Sequence, residues 1–264
     1  DEALYGLGQY QTGALNYKRD TVLLLQANKD IVNPYLVSTR GFGLLWDNYS
    51  ASEFRDAGDA FEFASEVGDA VDYWFVYGGD PAGCVRGYRE LTGAASMLPK
   101  WAFGFWQSRE RYKTFDELTG VVREYRRRHI PIDVIVQDWE YWGDKPRWNA
   151  LEWDSVRFPN PKAAIARLHE EYGVRLLVSV WPGFGPETAV YRDLEAAGAL
   201  FDERTWAGYK VFDAYDPAAR DLVWRRFRTG LFDTGVDGWW MDATEPSFRE
   251  GFTQRKQEAR TKSS

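Results

Sequence analysis

A β-rich segment followed by an α/β segment built on a buried parallel sheet is the architecture that these 264 residues require. Three observations carry it. Residues 1–80 hold short aromatic and β-branched runs between turn signals. From Trp101 onward, near-continuous apolar runs alternate with helical patterns. The residues able to do chemistry fall where those later runs end.

Strands are expected over 42–46, 61–63 and 72–77 (DYWFVY), with turns at Gly41, Asn48 and the Gly68-Asp69 pair. Pro81 suits the first turn of a helix ending near Gly93, and Pro99 marks a boundary. A strand is predicted over 101–107. Thr114 and Glu117 then form a capping-box pattern, with Phe115, Leu118, Val122 and Tyr125 at helical spacing. A second strand over 132–136 leads into Gln137-Asp138-Trp139 and a long aromatic loop. Pro161 opens a helix bearing Ile165, Leu168 and Tyr172, which Gly173 closes. The third strand, 174–180, ends in Trp181-Pro182. A helix near 186–197, an irregular insertion and a helix from Pro217 to about 233 precede the fourth strand, 236–242.

Four apolar strands separated by helices make a parallel sheet covered on both faces. A (β/α)₈ barrel and a doubly wound sheet both fit. No Gly-rich loop opening a helix follows any strand, and Gly41-Phe42-Gly43 precedes no helix, which weakens the nucleotide-binding alternative and an oxidoreductase reading. With four of eight strands, the barrel reading is half a barrel.

Composition narrows the chemistry. The net charge is −7 and no long basic run is present, which argues against nucleic acid and anionic membrane as partners. No stretch approaches the ~20 apolar residues of a membrane-spanning helix. Cys84 is the single cysteine, and His129 and His169 are the two histidines, so neither an imidazole nor a thiolate metal site is expected. Carboxylates must carry any acid–base work. Aromatic residues make up 17% of the chain, which fits either a large core or a sugar site in which ring faces cover pyranose C–H faces. The chain begins at Asp1 beside strand-like sequence, with no initiator Met, and is read as a fragment. For compartment the lean is periplasmic or secreted, with the cytoplasm open; oligomeric state is left undetermined.

Asp242 stands in Gly238-Trp239-Trp240-Met241-Asp242-Ala243-Thr244-Glu245-Pro246. A carboxylate at a buried strand end is costly unless it is hydrogen-bonded or used, so its role is structural or catalytic, with Glu245 in support. Asp138 ends the second strand and either binds sugar hydroxyls or caps a helix or pairs with a cation. Glu140 is a rival carboxylate that alternation turns away from it. Trp106, Trp181 and Trp240 share strand-end positions, although a lone Trp is more often core. Arg109 and Arg111 either pair with site carboxylates or are solvated. His129 fits a helix end through the dipole, and His169 reads as surface.

At these residues the chain resembles glycoside hydrolase family 31, especially its bacterial α-xylosidase branch. The matching segments are Tyr5-Gly6-Leu7-Gly8-Gln9, Leu44-Leu45-Trp46-Asp47-Asn48-Tyr49 and Leu98 to Tyr112 (LPKWAFGFWQSRERY). Asp138-Trp139, Tyr141-Trp142, Arg157-Phe158-Pro159-Asn160-Pro161, Ser179-Val180-Trp181-Pro182 and Trp240 to Pro246 follow in the family's order. The resemblance implies a partial N-terminal β-sandwich with linking helix over 1–97 and the first half of a (β/α)₈ barrel over 98–264. It implies a retaining α-glycosidase that needs no cofactor, acting on oligosaccharides with non-reducing α-xylosyl ends such as those of xyloglucan. An α-glucosidase or α-transglucosidase is the rival on the same scaffold, and an inactive sugar-binding fragment is a further alternative. By the same resemblance Asp242 is the nucleophile, Asp138 binds hydroxyls of the cleaved sugar, and Trp181 and Trp240 wall its pocket. Arg111, Tyr112 and Trp142 are rim candidates, and the family's general acid/base lies beyond residue 264.

Overall fold

The computed structural model describes residues 2–27 and 30–244, which form two compact units divided between Met97 and Leu98. Glu245 lies outside the described residues.

The first unit holds seven strands and a helix: β1 (Leu4–Gln9), β2 (Thr21–Leu24), β3 (Ile31–Ser38), β4 (Phe42–Trp46), β5 (Ser52–Asp56), β6 (Phe61–Ser65), β7 (Tyr73–Tyr77) and α1 (Pro81–Thr92). They make two antiparallel sheets, ordered β1-β3-β4-β7 and β2-β5-β6. Alternation puts Leu4, Leu36, Val22, Leu24 and Phe54 into one shared core. Of these strands only β4, β6 and β7 stand out in the sequence. Pro34 masks β3, and the structure shows why it is tolerated there. The β1–β3 register shifts between Gly6 and Gly8, so the residue lacking an N–H sits where the ladder is already interrupted. Helix α1 starts as expected, with Asp80 Oδ1 accepting from Gly83 N at 2.6 Å and Pro81 next in line. Gly87 lets α1 approach the sheet, because a Cβ there would lie 2.3 Å from a Val76 methyl.

The second unit runs β8 (Trp106–Arg109), α2 (Phe115–Arg127), β9 (Val134–Gln137), α3 (Pro161–Tyr172), β10 (Arg175–Val180), β11 (Gly183–Phe184), α4 (Ala189–Ala196), β12 (Lys210–Val211), α5 (Pro217–Gly230) and β13 (Gly238–Met241). Strands β8, β9, β10 and β13 pair in parallel and in chain order. A doubly wound sheet reverses its strand order at a switch point, and these four strands show no reversal. On one face Ile135, Leu176, Val178 and Val180 join the large core formed with the helices. On the other, Val134, Val136 and Leu177 meet Trp101.

Two local expectations need correction. The strand expected over 101–107 is split: residues 100–103 form a 3₁₀ turn closed by Ala102 N to Pro99 O and Gly104 N to Trp101 O, and β8 begins only at Trp106. Asp133 explains the break, because its Oδ2 accepts from Phe105 N at 3.0 Å and its carboxyl occupies the space a Cβ on Gly104 would need. His169 is not simply a surface residue. Its Nε2 lies 2.7 Å from Asp237 Oδ2, which also takes Leu176 N at 2.9 Å, while Arg175 reaches Asp237 Oδ1 at 3.2 Å. These residues tie α3 to the entry ends of β10 and β13.

Candidate active site

The register decides which side chains meet at the exit end of the sheet. Arg109, Gln137, Val178 and Trp239 share the last common row. Trp239 points to the helices, with its ring centre 4.1 Å from that of Phe227 on α5. By alternation its neighbour Trp240, paired with Ser179, faces the other way and is 42% exposed. Asp138 stands two residues beyond Val136 and Asp242 two beyond Trp240, so both fall on that same helix-free face. The ladder carries Asp242 into place, since its N–H donates to Val180 O at 2.9 Å and its Oδ1 accepts from Ala243 N at 2.9 Å. Strands β9 and β13 flank β10, so the two aspartates rise from backbones about 10 Å apart. Trp181, which follows β10, stands between them in strand order.

Asp138 is half-buried, and its Oδ1 accepts from Trp139 N at 2.8 Å. Burial pushes its carboxyl above the usual carboxylate range; the hydrogen bond from Trp139 opposes this, the negative charges of Asp242 and Glu110 add to it, and Arg111 opposes it. Gln137, fully buried on β9, fixes the turn: its Nε2 donates to Tyr112 O and to Asp138 O, each at 3.0 Å.

Trp181 follows β10 and packs edge-on against Trp148 at 4.9 Å, with Tyr209 at 6.1 Å. Sequence reasoning missed Trp148. It is wholly buried and touches Trp139, Trp142, Trp181, Trp206 and Tyr209, the last stacked at 5.2 Å and 12°. Asn149 beside it donates to Trp181 O at 2.6 Å and Gly183 O at 3.1 Å. The loop after β9 and the insertion after β10 thus form one aromatic floor under the strand ends. The Trp-rich run from Trp139 to Trp153 was the available signal, but the partners of Trp148 lie up to about sixty residues away in the chain.

Three expected site residues are placed elsewhere. Trp106 opens β8 and pairs with Val134, four residues short of Asp138 or roughly 13 Å along the strand. Its indole N–H donates to Ala102 O at 3.2 Å, at the entry end of the sheet, because β8 starts later than the apolar run implies. Tyr112 and Trp142 are 1% and 0% exposed, so they lie in the core rather than on a rim. Arg111 does stand at the rim: it pairs with Glu140 at 2.5 Å and lies over the Trp139 ring at 4.6 Å. Arg109 pairs with Glu117 at 2.9 Å. Among the described residues no cluster of three or more His, Cys, Asp or Glu is placed to hold a metal ion.

Two aspartates on one helix-free face at the exit end of a parallel βα sheet form the arrangement in which barrel enzymes place their active sites. Residues 95–264 match the sequence profile of the glycosyl hydrolases family 31 TIM-barrel domain. The chain belongs to glycosyl hydrolases family 31. Within the family, an α-xylosidase from Saccharolobus solfataricus is 42% identical over 254 residues, covering 93% of this chain and 34% of the relative. Alpha-glucosidase 2 of Bacillus thermoamyloliquefaciens is 30% identical, covering 94% of this chain and 34% of that protein. A family 31 α-xylosidase from a soil metagenome, solved in complex with xylose, superposes with a TM-score of 0.85 at 38% identity, covering 94% of this chain and 37% of that structure. The chain spans about a third of the length of these relatives.

Proposed function

We propose that this chain carries the nucleophile side of a retaining α-glycosidase that removes non-reducing α-xylosyl residues from oligosaccharides such as those of xyloglucan. The observation that carries the reading is the pair Asp138 and Asp242 on one face, straddling Trp181. Retaining hydrolysis needs an ionised carboxylate to attack the anomeric carbon, forming a glycosyl-enzyme that water then cleaves. Asp242 is half-buried on the open sheet face and fits that role. Asp138, raised from a backbone two strands away, accepts hydrogen bonds from hydroxyls of the bound ring. Trp181 and Trp240 cover the apolar faces of the ring and exclude water, which strengthens the hydrogen bonds made as charge develops. Glu245, outside the described residues, keeps its proposed supporting role. Asp242 supplies one of the two carboxylates that the double displacement needs.

The same reading takes residues 1–97 as part of an N-terminal β-sandwich with its linking helix, and 98–264 as the first half of the catalytic barrel. Support comes from the shared core of the two antiparallel sheets and from four parallel strands in chain order. The α-glucosidase relative favours a second reading in which glucose replaces xylose. The test is release of nitrophenol from aryl α-xyloside and aryl α-glucoside by the full-length protein. Asp242→Asn should reduce turnover by at least about 10³-fold with the fold intact, since the covalent intermediate cannot form. Near-normal turnover in that variant would sink the assignment. Preference for the glucoside would keep the mechanism and change the sugar.

A further inference from the structure

Charge converges at one point of the rim, where the loop after β8 meets the loop after β9. One Arg111 guanidinium nitrogen lies 2.5 Å from Glu140 Oε2, and the other is 3.6 Å from Glu110 Oε1. The guanidinium carbon sits 4.6 Å from the centre of the Trp139 ring. An exposed ion pair in water contributes little, but here the Arg111 side chain is 30% exposed and that of Glu140 18%. Glu140 adopts φ 62°, a left-handed conformation unfavourable to a residue with a Cβ, so the backbone there depends on what holds the side chain. Gln137 ties the same two loops a second time through Tyr112 O. Trp139 and Glu140 directly follow Asp138, and Trp139 N is the donor to its carboxylate. Any rotation of the 139–140 segment therefore turns Asp138.

We infer that Arg111 and Glu140 form a clamp between the two loops that aims Asp138 at the sugar, with Arg111 as a positioning residue for the glycosidase reaction. The inference rests on the reading of Asp138 as a sugar ligand. Arginine suits the task because its planar fork pairs with a carboxylate while its face stacks on an indole. The charges acting on Asp138 are Asp242, Glu110 and Arg111, and Arg111 is the cation among them.

The experiment is steady-state kinetics of the full-length protein across pH, on whichever aryl α-glycoside the unaltered protein cleaves faster. Arg111→Met, Arg111→Lys, Glu140→Gln and the Arg111→Met/Glu140→Gln double variant are compared, with thermal melting measured alongside. Arg111→Met should lower kcat/KM by about 10- to 100-fold, the scale of a ~1 Å misplacement near the chemistry. Its acid limb should move to higher pH, because the positive charge that favours ionised Asp138 is gone. Arg111→Lys should keep the limb in place yet restore only part of kcat/KM. The double variant should lose no more than Arg111→Met alone, since the pair acts as one unit. An unshifted limb with normal kcat/KM in Arg111→Met overturns the clamp while leaving the glycosidase reading intact, and so does a double variant whose losses multiply. If Arg111→Met does not fold, normal kcat/KM in both Arg111→Lys and Glu140→Gln overturns it. A folded, unaltered protein that cleaves no aryl α-glycoside removes the reading of Asp138 and the clamp with it.

Discussion

Replacing Trp148 by alanine should unseat both sides of the proposed sugar site at once. The indole is 0% exposed and supports Trp139, next to Asp138, as well as Trp181, at the end of β10. Truncation removes roughly 150 Å² of buried ring, which at ~25 cal/mol per Å² is about 4 kcal/mol. That value falls inside the range of about 3–5 kcal/mol seen for large-to-alanine changes in well-packed cores. Little can collapse into the gap, since the neighbours are themselves rigid rings: Trp142 at 5.6 Å, Trp206 at 5.6 Å and Tyr209 at 5.2 Å. Urea unfolding of the full-length protein measures the loss as a lower midpoint at unchanged slope. Trp148→Phe should lose only about 1–2 kcal/mol, because a ring stacked on Tyr209 remains. Glycoside KM should rise in the alanine variant as Trp181 loses its backing. A loss under about 1 kcal/mol with unchanged KM would refute the idea that this floor supports the site.

Two carboxylates should respond to pH with opposite sign. Burial raises Asp138, helped by Asp242 and Glu110 and opposed by Trp139 N and Arg111, so the folded protein holds its proton more tightly than the unfolded chain. Stability then falls as pH rises from the ordinary carboxylate range through the raised value. Asp138→Asn should therefore melt higher than the unaltered protein at neutral pH, lose that advantage in acid, and bind glycosides poorly; melting scans against pH check the first two. Burial would also raise Asp56, but hydrogen bonds from Arg19 N at 2.6 Å and Gly58 N at 3.0 Å, with Lys18 at 3.3 Å, outweigh it and hold the carboxyl below its usual range. Its contribution is present above the ordinary carboxylate pKa and is lost as pH falls through the lowered one. Asp56→Asn should cost about 1–3 kcal/mol at pH 7, the worth of charge-assisted hydrogen bonds, with the difference from the unaltered protein closing in acid.

Much of the α/β half was legible in the chain because its signals are local. Thr114 caps α2 with Oγ1 accepting from Glu117 N at 3.1 Å, Pro161 opens α3, and Gly173 closes it in the left-handed conformation. Each of those outcomes depends on a few neighbouring residues. The first half was less legible. β3 carries a proline that is accommodated where its register with β1 shifts, β2 is a four-residue run that leaves Leu23 exposed beside Thr21, and β5 is a short run with Glu53 and Arg55 on its open face.

The sequence by itself determined that carboxylates would stand at the ends of buried parallel strands, among indoles. Strand ends follow from hydrophobic runs, and an aspartate closing such a run is visible without coordinates. Tertiary structure decided which of the aromatic residues stand at the exit end of the sheet. Trp106, Tyr112 and Trp142 sit in the same kinds of run as Trp181 and Trp240, yet strand register sends the first to the entry end and packing buries the other two. Trp148, the hub of the floor, and Arg111, the cation paired with Glu140, owe their roles to partners on other loops. Register and loop-to-loop contact are relations between distant segments. They are set by how whole faces pack, and no local pattern encodes them.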